Sequence, residues 1–267
     1  MFHIRNAPPG DLAAMLVVLG KYPKLSTISK VVEQAENMGF LIQDHRRLEA
    51  LVTGRDLGLV DQDMNVLTDI GKIVTRLESY APDLFVDVIH GLLYTLWSSK
   101  QKGTNCFSWS YRALCKMLWE AGNGELASRR DLASGIETRA RKAFSRPDIA
   151  FSPKSVGGAL LWLSDLTPPI LNEEKTRFSR RTFCPPELFI MATDFVYRTQ
   201  EIDYGVNLLL SDENRDAICR VCLLELERFE RVLEYAVAQF DYLHKGIGGG
   251  WGQYLALDRA PMLEDFI

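Results

Sequence analysis

Cys219 and Cys222 form a Cys-x-x-Cys pair, a spacing at which two thiolates can share a metal ion or cycle between dithiol and disulfide. Neither a second pair nor a nearby histidine accompanies it, and the apolar residues around it point to two core thiols inside a helix. Cys106, Cys115 and Cys184 are scattered, and five cysteines in all read as reduced thiols rather than a disulfide framework. His90 lies among Leu84, Val88, Leu92 and Leu96, where a hydrogen-bonded core or boundary histidine is expected, because no second ligand or nucleophile has matching spacing. The run Gly246-Ile247-Gly248-Gly249-Gly250 follows an expected helix rather than a strand and lacks the Lys-Ser or Lys-Thr of a phosphate loop. There is no G-x-S-x-G, Walker or H-E-x-x-H pattern. The expectation is a protein with no catalytic residues, no metal and no cofactor.

Pro147-Asp148 followed by Glu173-Glu174-Lys175 resembles the acidic and lysine elements of PD-(D/E)xK nucleases, a resemblance that implies carboxylates holding magnesium and a lysine assisting the attacking water. That arrangement needs neighbouring strands of one sheet. A helix expected from Ser155 to Asp165 separates the two halves, so nuclease activity is a remote alternative. Phosphate contact is the broader chemistry available. A net charge of −4 excludes a chain coated in basic residues, so any nucleic-acid contact must be local. Basic residues concentrate late in the chain: Arg129, Arg130, Arg139, Arg141, Lys142, Arg146 and Lys154, then Lys175, Arg177, Arg180 and Arg181. Asp131, Glu137, Glu173 and Glu174 are interspersed, which keeps an ordinary solvated face as the competing reading.

The elements that must position these residues begin with Pro8-Pro9-Gly10-Asp11, a stop-and-cap signal before Leu12, Met15, Leu16 and Leu19 at helical spacing. Ser26 or Thr27 caps a second helix with Ile28, Val31, Val32 and Ala35 on one face. A third is expected from about Gln43 to Leu57, with Leu48, Leu51 and Val52 inward and Asp44, His45, Arg46, Arg47, Glu49 and Arg55 toward solvent. Leu59-Val60 and Val66-Leu67 flank the turn 61–65 as a short hairpin, and Thr68 or Asp69 caps a fourth helix. The run Leu57-Gly58-Leu59-Val60, with Leu67-Thr68-Asp69-Ile70-Gly71, resembles the signature of winged helix-turn-helix proteins over residues 9–79. That resemblance implies either a DNA reader or a protein-binding module. As a DNA reader it would place Gln43, His45, Arg46, Arg47 and Arg55 at bases or phosphates. The expected wing is acidic, with Asp61 and Asp63.

A strongly apolar helix is expected from Asp83 to about Lys100. The first pattern then recurs over about 108–198: a helix ending at Gly122, another from Ser128 to Phe144, a third capped by Ser152 or Ser155, a second wing between Pro168 and Phe183, and a helix starting at Pro185-Pro186. From Ser211 to His244, Cys222, Leu226, Phe229, Leu233, Ala236, Phe240 and Leu243 follow a heptad seam, read as one long helix that self-pairs or packs within the chain. The glycine run breaks it. The amphipathic tail 251–267 then docks on a partner or folds back. Residues thus divide into 1–80, 81–200 and 201–267.

Hydrophobic residues at 47% and charged residues at 25% match globular usage. No apolar run is long enough to span a bilayer, and the start lacks a secretory pattern, so a cytoplasmic location is expected. The fold class expected is mainly α: a winged helix-turn-helix domain, a second winged-helix-like domain and a long C-terminal helix. The function expected is a non-catalytic double-stranded DNA-binding protein, a transcriptional regulator or DNA-docking subunit, contacting DNA through Gln43, His45, Arg46, Arg47, Arg55, Arg129, Arg130, Lys154, Lys175, Arg177, Arg180 and Arg181. The alternative is a protein-interaction subunit of a larger nucleoprotein or defence complex, using both winged helices and the tail; a protein partner or a second copy of the chain would be met through the 211–244 helix and the 251–267 tail.

Overall fold

The computed structural model describes residues 2–23, 25, 27–40, 47–250 and 252–267, and it is mainly helical. Helix α1 (Pro9–Lys21) starts at the Pro8-Pro9 stop and buries Leu12, Met15, Leu16 and Leu19. Helix α2 (Ile28–Asn37) is capped by Thr27, whose Oγ1 accepts from the Lys30 N–H. The expected cap Ser26 and the expected helix start at Gln43 lie outside the described residues; within them, α3 runs Arg47–Asp56. Leu48 was expected inside but is 57% exposed. The inward side of α3 carries Ala50, Leu51 and Gly54, and a Cβ on Gly54 would come within 2.9 Å of Val60.

The expected hairpin contracts to one bridge, Val60 to Leu67, beside an Asp61 N–H to Val66 carbonyl bond. Helix α4 (Asp69–Tyr80) follows, with Thr68 Oγ1 accepting from the Gly71 N–H. Thr68 also donates its hydroxyl to the Gly58 carbonyl and its N–H to the Leu59 carbonyl. These bonds press α4 so close to the preceding chain that a Cβ on residue 71 would lie 1.9 Å from the Leu59 oxygen. Gly58 turns the chain with φ 71°, a conformation that suits glycine. Leu-Gly-Leu-Val and Leu-Thr-x-x-Gly thus form one mutually dependent corner.

Helix α5 (Pro82–Thr95) supplies Phe85, Val88, Ile89, Leu93 and Tyr94 to the core. It stops five residues short of the expected Lys100. Arg112 takes the Tyr94 and Trp97 carbonyls, Ser108 Oγ accepts from the Trp97 N–H, and a short 3-10 turn spans Ser99–Gln101. Next come α6 (Cys106–Ala121), β1 (Gly124–Glu125), α7 (Arg129–Phe144), α8 (Pro153–Ser164) and β2 (Arg177–Phe178). Strand β1 pairs antiparallel with β2, Gly124 against Phe178 and Glu125 against Arg177, and Leu171 bridges back to Phe178. This stretch therefore reads helix, strand, helix, helix, bridge, turn, strand.

The remaining elements are α9 (Pro186–Gln200), β3 (Leu208–Leu209), α10 (Asp212–Cys222), a 3-10 turn (Leu226–Arg228), α11 (Phe229–Gln239), β4 (Leu243–Gly248), β5 (Gly252–Leu257) and a 3-10 turn (Leu263–Phe266). The long helix expected over 211–244 is thus two helices, both packed on α9. It breaks at Leu223, φ 53°, where residues 223–225 pair with Arg181: the Arg181 N–H donates to Leu223 and the Glu225 N–H to Arg181. The heptad spacing reports two helices sharing one core. The glycine run also departs from expectation, since Gly246 and Gly248 belong to β4 and Gly249-Gly250 to the turn of a hairpin with β5 in the sheet order β3-β5-β4. Tyr254 covers Gly246 closely, its Oη 2.5 Å from where a Cβ would stand. The tail folds back, with β5 in the sheet and Phe266 buried; Trp251, where that tail was expected to begin, lies outside the described residues.

Buried apolar residues form one cluster running from Ile4 to Phe266. Among the described residues, no helix is long and apolar enough to cross a membrane. Gly71→Ala is expected to lower unfolding stability by about 2–3 kcal/mol, because the added methyl meets backbone rather than a movable side chain; urea denaturation measures it, and a change within about 0.5 kcal/mol would contradict the close approach.

Candidate nucleic-acid interface

Helices α7 and α8 begin on side-chain caps. Ser128 Oγ accepts from the Asp131 N–H and Ser152 Oγ from the Ser155 N–H. Capping leaves Arg129 and Arg130 exposed on the first turn of α7, with no hydrogen-bond or ion-pair partner for either side chain among the described residues. The Arg129 guanidinium crosses to α8, where Nη1 lies 3.4 Å from the Cβ that Gly157 lacks. The Leu126 N–H donates to the Thr176 carbonyl at 2.7 Å, which seats the turn 172–176 beside the entry to α7. Asn172 closes that turn by accepting from both the Thr176 and Arg177 N–H groups at 2.8 Å. Arg129, Arg130, Lys175 and Arg177 are thereby brought to one edge. Glu125 opposes Arg177 in the pairing, Asp131 lies in the first turn of α7, and Glu173 and Glu174 sit on the turn, so this edge is close to charge-balanced.

The other predicted contacts are engaged elsewhere. Arg55 donates Nε to the Asp61 carbonyl and Nη2 to Asn65 Oδ1, clamping the first turn rather than facing outward. Lys154 pairs with Glu49 of α3 at 3.5 Å. The Arg180 guanidinium stacks 3.9 Å from the Trp119 ring centroid and donates to the Trp119 carbonyl. Arg181 is a correction: its side chain has no exposure and is paired with Asp87 at 2.6 Å, so it faces no solvent and no DNA. Gln43, His45 and Arg46 lie outside the described residues, and Arg47 contributes its backbone to the start of α3.

Helix α8 is covered on one side. His3 Nδ1 lies 3.1 Å from Ser155 Oγ, the His3 ring stacks on Phe151, and Gly158 lets the Arg5 carbonyl approach to 2.4 Å from a would-be Cβ. The amino-terminal segment thus covers the Ser155 and Gly158 side of α8, while Pro153 and Lys154 stay exposed.

A stronger electrostatic feature lies between α6 and α7, which pack side by side. Trp109, Arg112, Ala113 and Lys116 recur at helical spacing on α6, and Arg139, Lys142 and Ala143 do so on α7, with Arg146 just past its end. The helical residues line a hollow of about 530 Å³, and a second of about 560 Å³ adjoins it at Ala143 and is lined by Lys102 and Arg146. Glu120 serves both Arg139, at 2.8 Å, and Lys116, at 3.7 Å, while Asp148 holds Arg146. Lys102 and Lys142 have no side-chain partner among the described residues. Five surface cations therefore face two carboxylates in a protein of net charge −4, and Trp109 and Phe144 meet edge to face at 5.2 Å beside them. Lys116, Lys102 and Trp109 escaped the sequence reading; for Lys116 and Trp109 the three-and-four spacing shared by consecutive helices carries the signal, whereas Lys102 lies before α6.

The nuclease pattern is not assembled on adjacent strands. Asp148 lies between α7 and α8 and is salt-bridged to Arg146, and Glu173 to Lys175 sit in a turn. The Cys-x-x-Cys thiols are buried at the end of α10, with burial pushing both pKa values up. No cluster of three or more possible metal ligands occurs among the described residues. His90 is a satisfied core histidine: Nε2 donates to the Val221 carbonyl at 2.8 Å, which leaves Nδ1 to accept from the Tyr111 hydroxyl at 2.8 Å.

No family model, no curated protein and no solved structure matches this chain. Burial, and then the neighbouring Arg181 charge, push the His90 pKa from its ordinary 6.5 down to about 3. The unfolded chain therefore binds a proton that the folded one refuses, and stability falls as pH drops below about 6.5. The expected contribution is about 1.4 kcal/mol per pH unit. Urea denaturation between pH 6.5 and 5 measures it, and His90→Gln is expected to remove that slope; an unchanged slope would show that His90 is not the group responsible.

Proposed function

We propose that this protein is a non-catalytic DNA-docking component that grips the phosphate backbone of double-stranded DNA through the cationic strip between α6 and α7, rather than a regulator that reads sequence. The observation that carries this reading is the local excess of Lys102, Lys116, Arg139, Lys142 and Arg146 over Glu120 and Asp148 on an otherwise acidic protein. Long cationic side chains on two adjacent helices, Lys116, Arg139 and Lys142, with Lys102 and Arg146 beside them, suit a rod of phosphates, and such contact supplies affinity without sequence information. The order helix, strand, helix, helix, bridge, turn, strand in 106–178 and the Gly71 corner support a pair of winged-helix-like units. The second unit would bind by its α6–α7 side, with Arg129 and Arg130 as flanking contacts.

A second reading has its own support. Leu48, Met64 and Ile70 of the first unit are each about half exposed, and an apolar surface of this kind suits a protein partner better than phosphate. In that reading the first unit docks a protein and the second holds DNA.

Fluorescence anisotropy with duplexes of two unrelated sequences tests the proposal. With three to four phosphates neutralised, affinity is expected to fall roughly 40- to 150-fold between about 50 and 200 mM salt, with the two sequences bound alike. Lys116→Glu combined with Lys142→Glu is expected to weaken binding by roughly tenfold or more, while Lys154→Ala changes it little. Absence of duplex binding at low salt, or full affinity in the charge-reversed variant, would contradict it.

A further inference from the structure

The pairing of Arg181 with residues 223–225 brings the segment that enters α9 against α11 and leaves a hollow of about 750 Å³ between them. Its lining includes Thr182, Phe183, Arg228, Arg231, Tyr235 and Gln239. Phe183 and Tyr235 are 38% and 43% exposed and meet edge to face at 6.2 Å. Two large rings kept open to solvent at the mouth of one cavity are a feature of ligand sites rather than of folding cores.

The charge in the hollow has one sign. Arg228 stands at the N-cap of α11 and Arg231 on its first turn. Arg231 donates Nε and Nη2 to the Tyr235 hydroxyl at 3.3 and 3.2 Å and has no carboxylate within salt-bridge distance among the described residues. Arg228 has a long, solvent-facing contact of 3.7 Å with Glu225. The acidic residues of α11 are turned away: Glu230 pairs with Arg215 and Glu234 with Lys245. No carboxylate lines the cavity among the described residues. Tyr235 fixes the direction of the Arg231 fork and leaves Nη1 to bind, so the guanidinium is set in advance for an anion.

We propose that this hollow binds a nucleoside phosphate, with Arg228 and Arg231 on the phosphates and the rings of Phe183 and Tyr235 against the base. Planar and anionic chemistry are required together here, because the rings offer flat apolar contact and the two guanidinium groups offer paired donors. The volume suits a ligand of that size. This site shares no residue with the strip between α6 and α7, so it stands or falls apart from DNA docking.

Isothermal titration of the full chain with ATP, GTP, CTP and UTP tests it, with adenosine and inorganic tripolyphosphate as probes lacking one half of the ligand. At least one nucleotide is expected to bind saturably, and adenosine and tripolyphosphate each more weakly by roughly tenfold or more. Arg231→Gln and Tyr235→Ala, both at exposed positions, are each expected to weaken nucleotide binding by roughly tenfold or more, while Lys142→Glu leaves it unchanged. Failure of all four nucleotides to bind at millimolar concentration would overturn the proposal. So would tripolyphosphate binding as tightly as the nucleotides, full affinity in the hollow variants, or loss of affinity in Lys142→Glu.

Discussion

Arg181 and Asp87 form an ion pair from which solvent is wholly excluded, and much of the chain takes its position from it. Arg181 Nη1 contacts Asp87 Oδ1 at 2.6 Å and the Thr167 carbonyl at 3.2 Å, and Nε donates to the Cys222 carbonyl at 2.7 Å. The Thr167 N–H returns to the other Asp87 oxygen. Desolvation works against the Arg181 charge, but Asp87 and the neighbouring groups outweigh it and hold the guanidinium pKa above its ordinary value. A buried guanidinium cannot shed its proton, so the carboxylate beside it must remain its counter-ion. Four distant pieces of sequence, α5, the chain after α8, the segment before α9 and the end of α10, are thereby tied at one point.

His90, one turn further along α5, completes the lock. It takes the Val221 carbonyl while Arg181 takes that of Cys222, so α5 and its partner arginine collect successive carbonyls from the last turn of α10. A helix whose terminal carbonyls are claimed from the side is free to end there. Leu223 turns left-handed, residues 223–225 pair with Arg181, and α11 sets off in a new direction. The hollow beside Phe183 and Tyr235 is a product of that break. The basic residues divide between fold and surface: Arg55, Arg112, Arg180 and Arg181 hold backbone or side-chain partners of the fold, whereas Lys102, Lys116, Arg139, Lys142 and Arg146 are left at the surface.

Where a pattern depends on near neighbours, the sequence announced it well. Thr27, Thr68, Ser128 and Ser152 cap their helices as Ser or Thr before an apolar run should, and the Leu-Thr-x-x-Gly corner is explained by the missing Cβ of Gly71. What went unread depends on partners far along the chain. The Cys222-to-Leu243 spacing satisfies a heptad because α10 and α11 both pack on α9, and nothing local reveals that Arg181 interrupts them forty residues upstream. Arg181 and Arg180 looked like surface cations for the same reason: a lone arginine in sequence carries no mark of the buried carboxylate or ring it will meet. The strip between α6 and α7 was half visible, since its α7 members stood out as a basic run, but Lys116 and Trp109 acquire meaning only once the two helices lie side by side.

The measurement that bears most directly on this account is a double-mutant cycle on the buried pair, with urea unfolding of Asp87→Asn, Arg181→Met and the double variant. If the pair is the lock, each single change strands a buried charge or its partners and costs about 3–5 kcal/mol, while the double variant costs well under the sum, a coupling of about 2–3 kcal/mol. Costs that add to within about 0.5 kcal/mol would mean that Asp87 and Arg181 act independently, and the organising role assigned to them would be wrong.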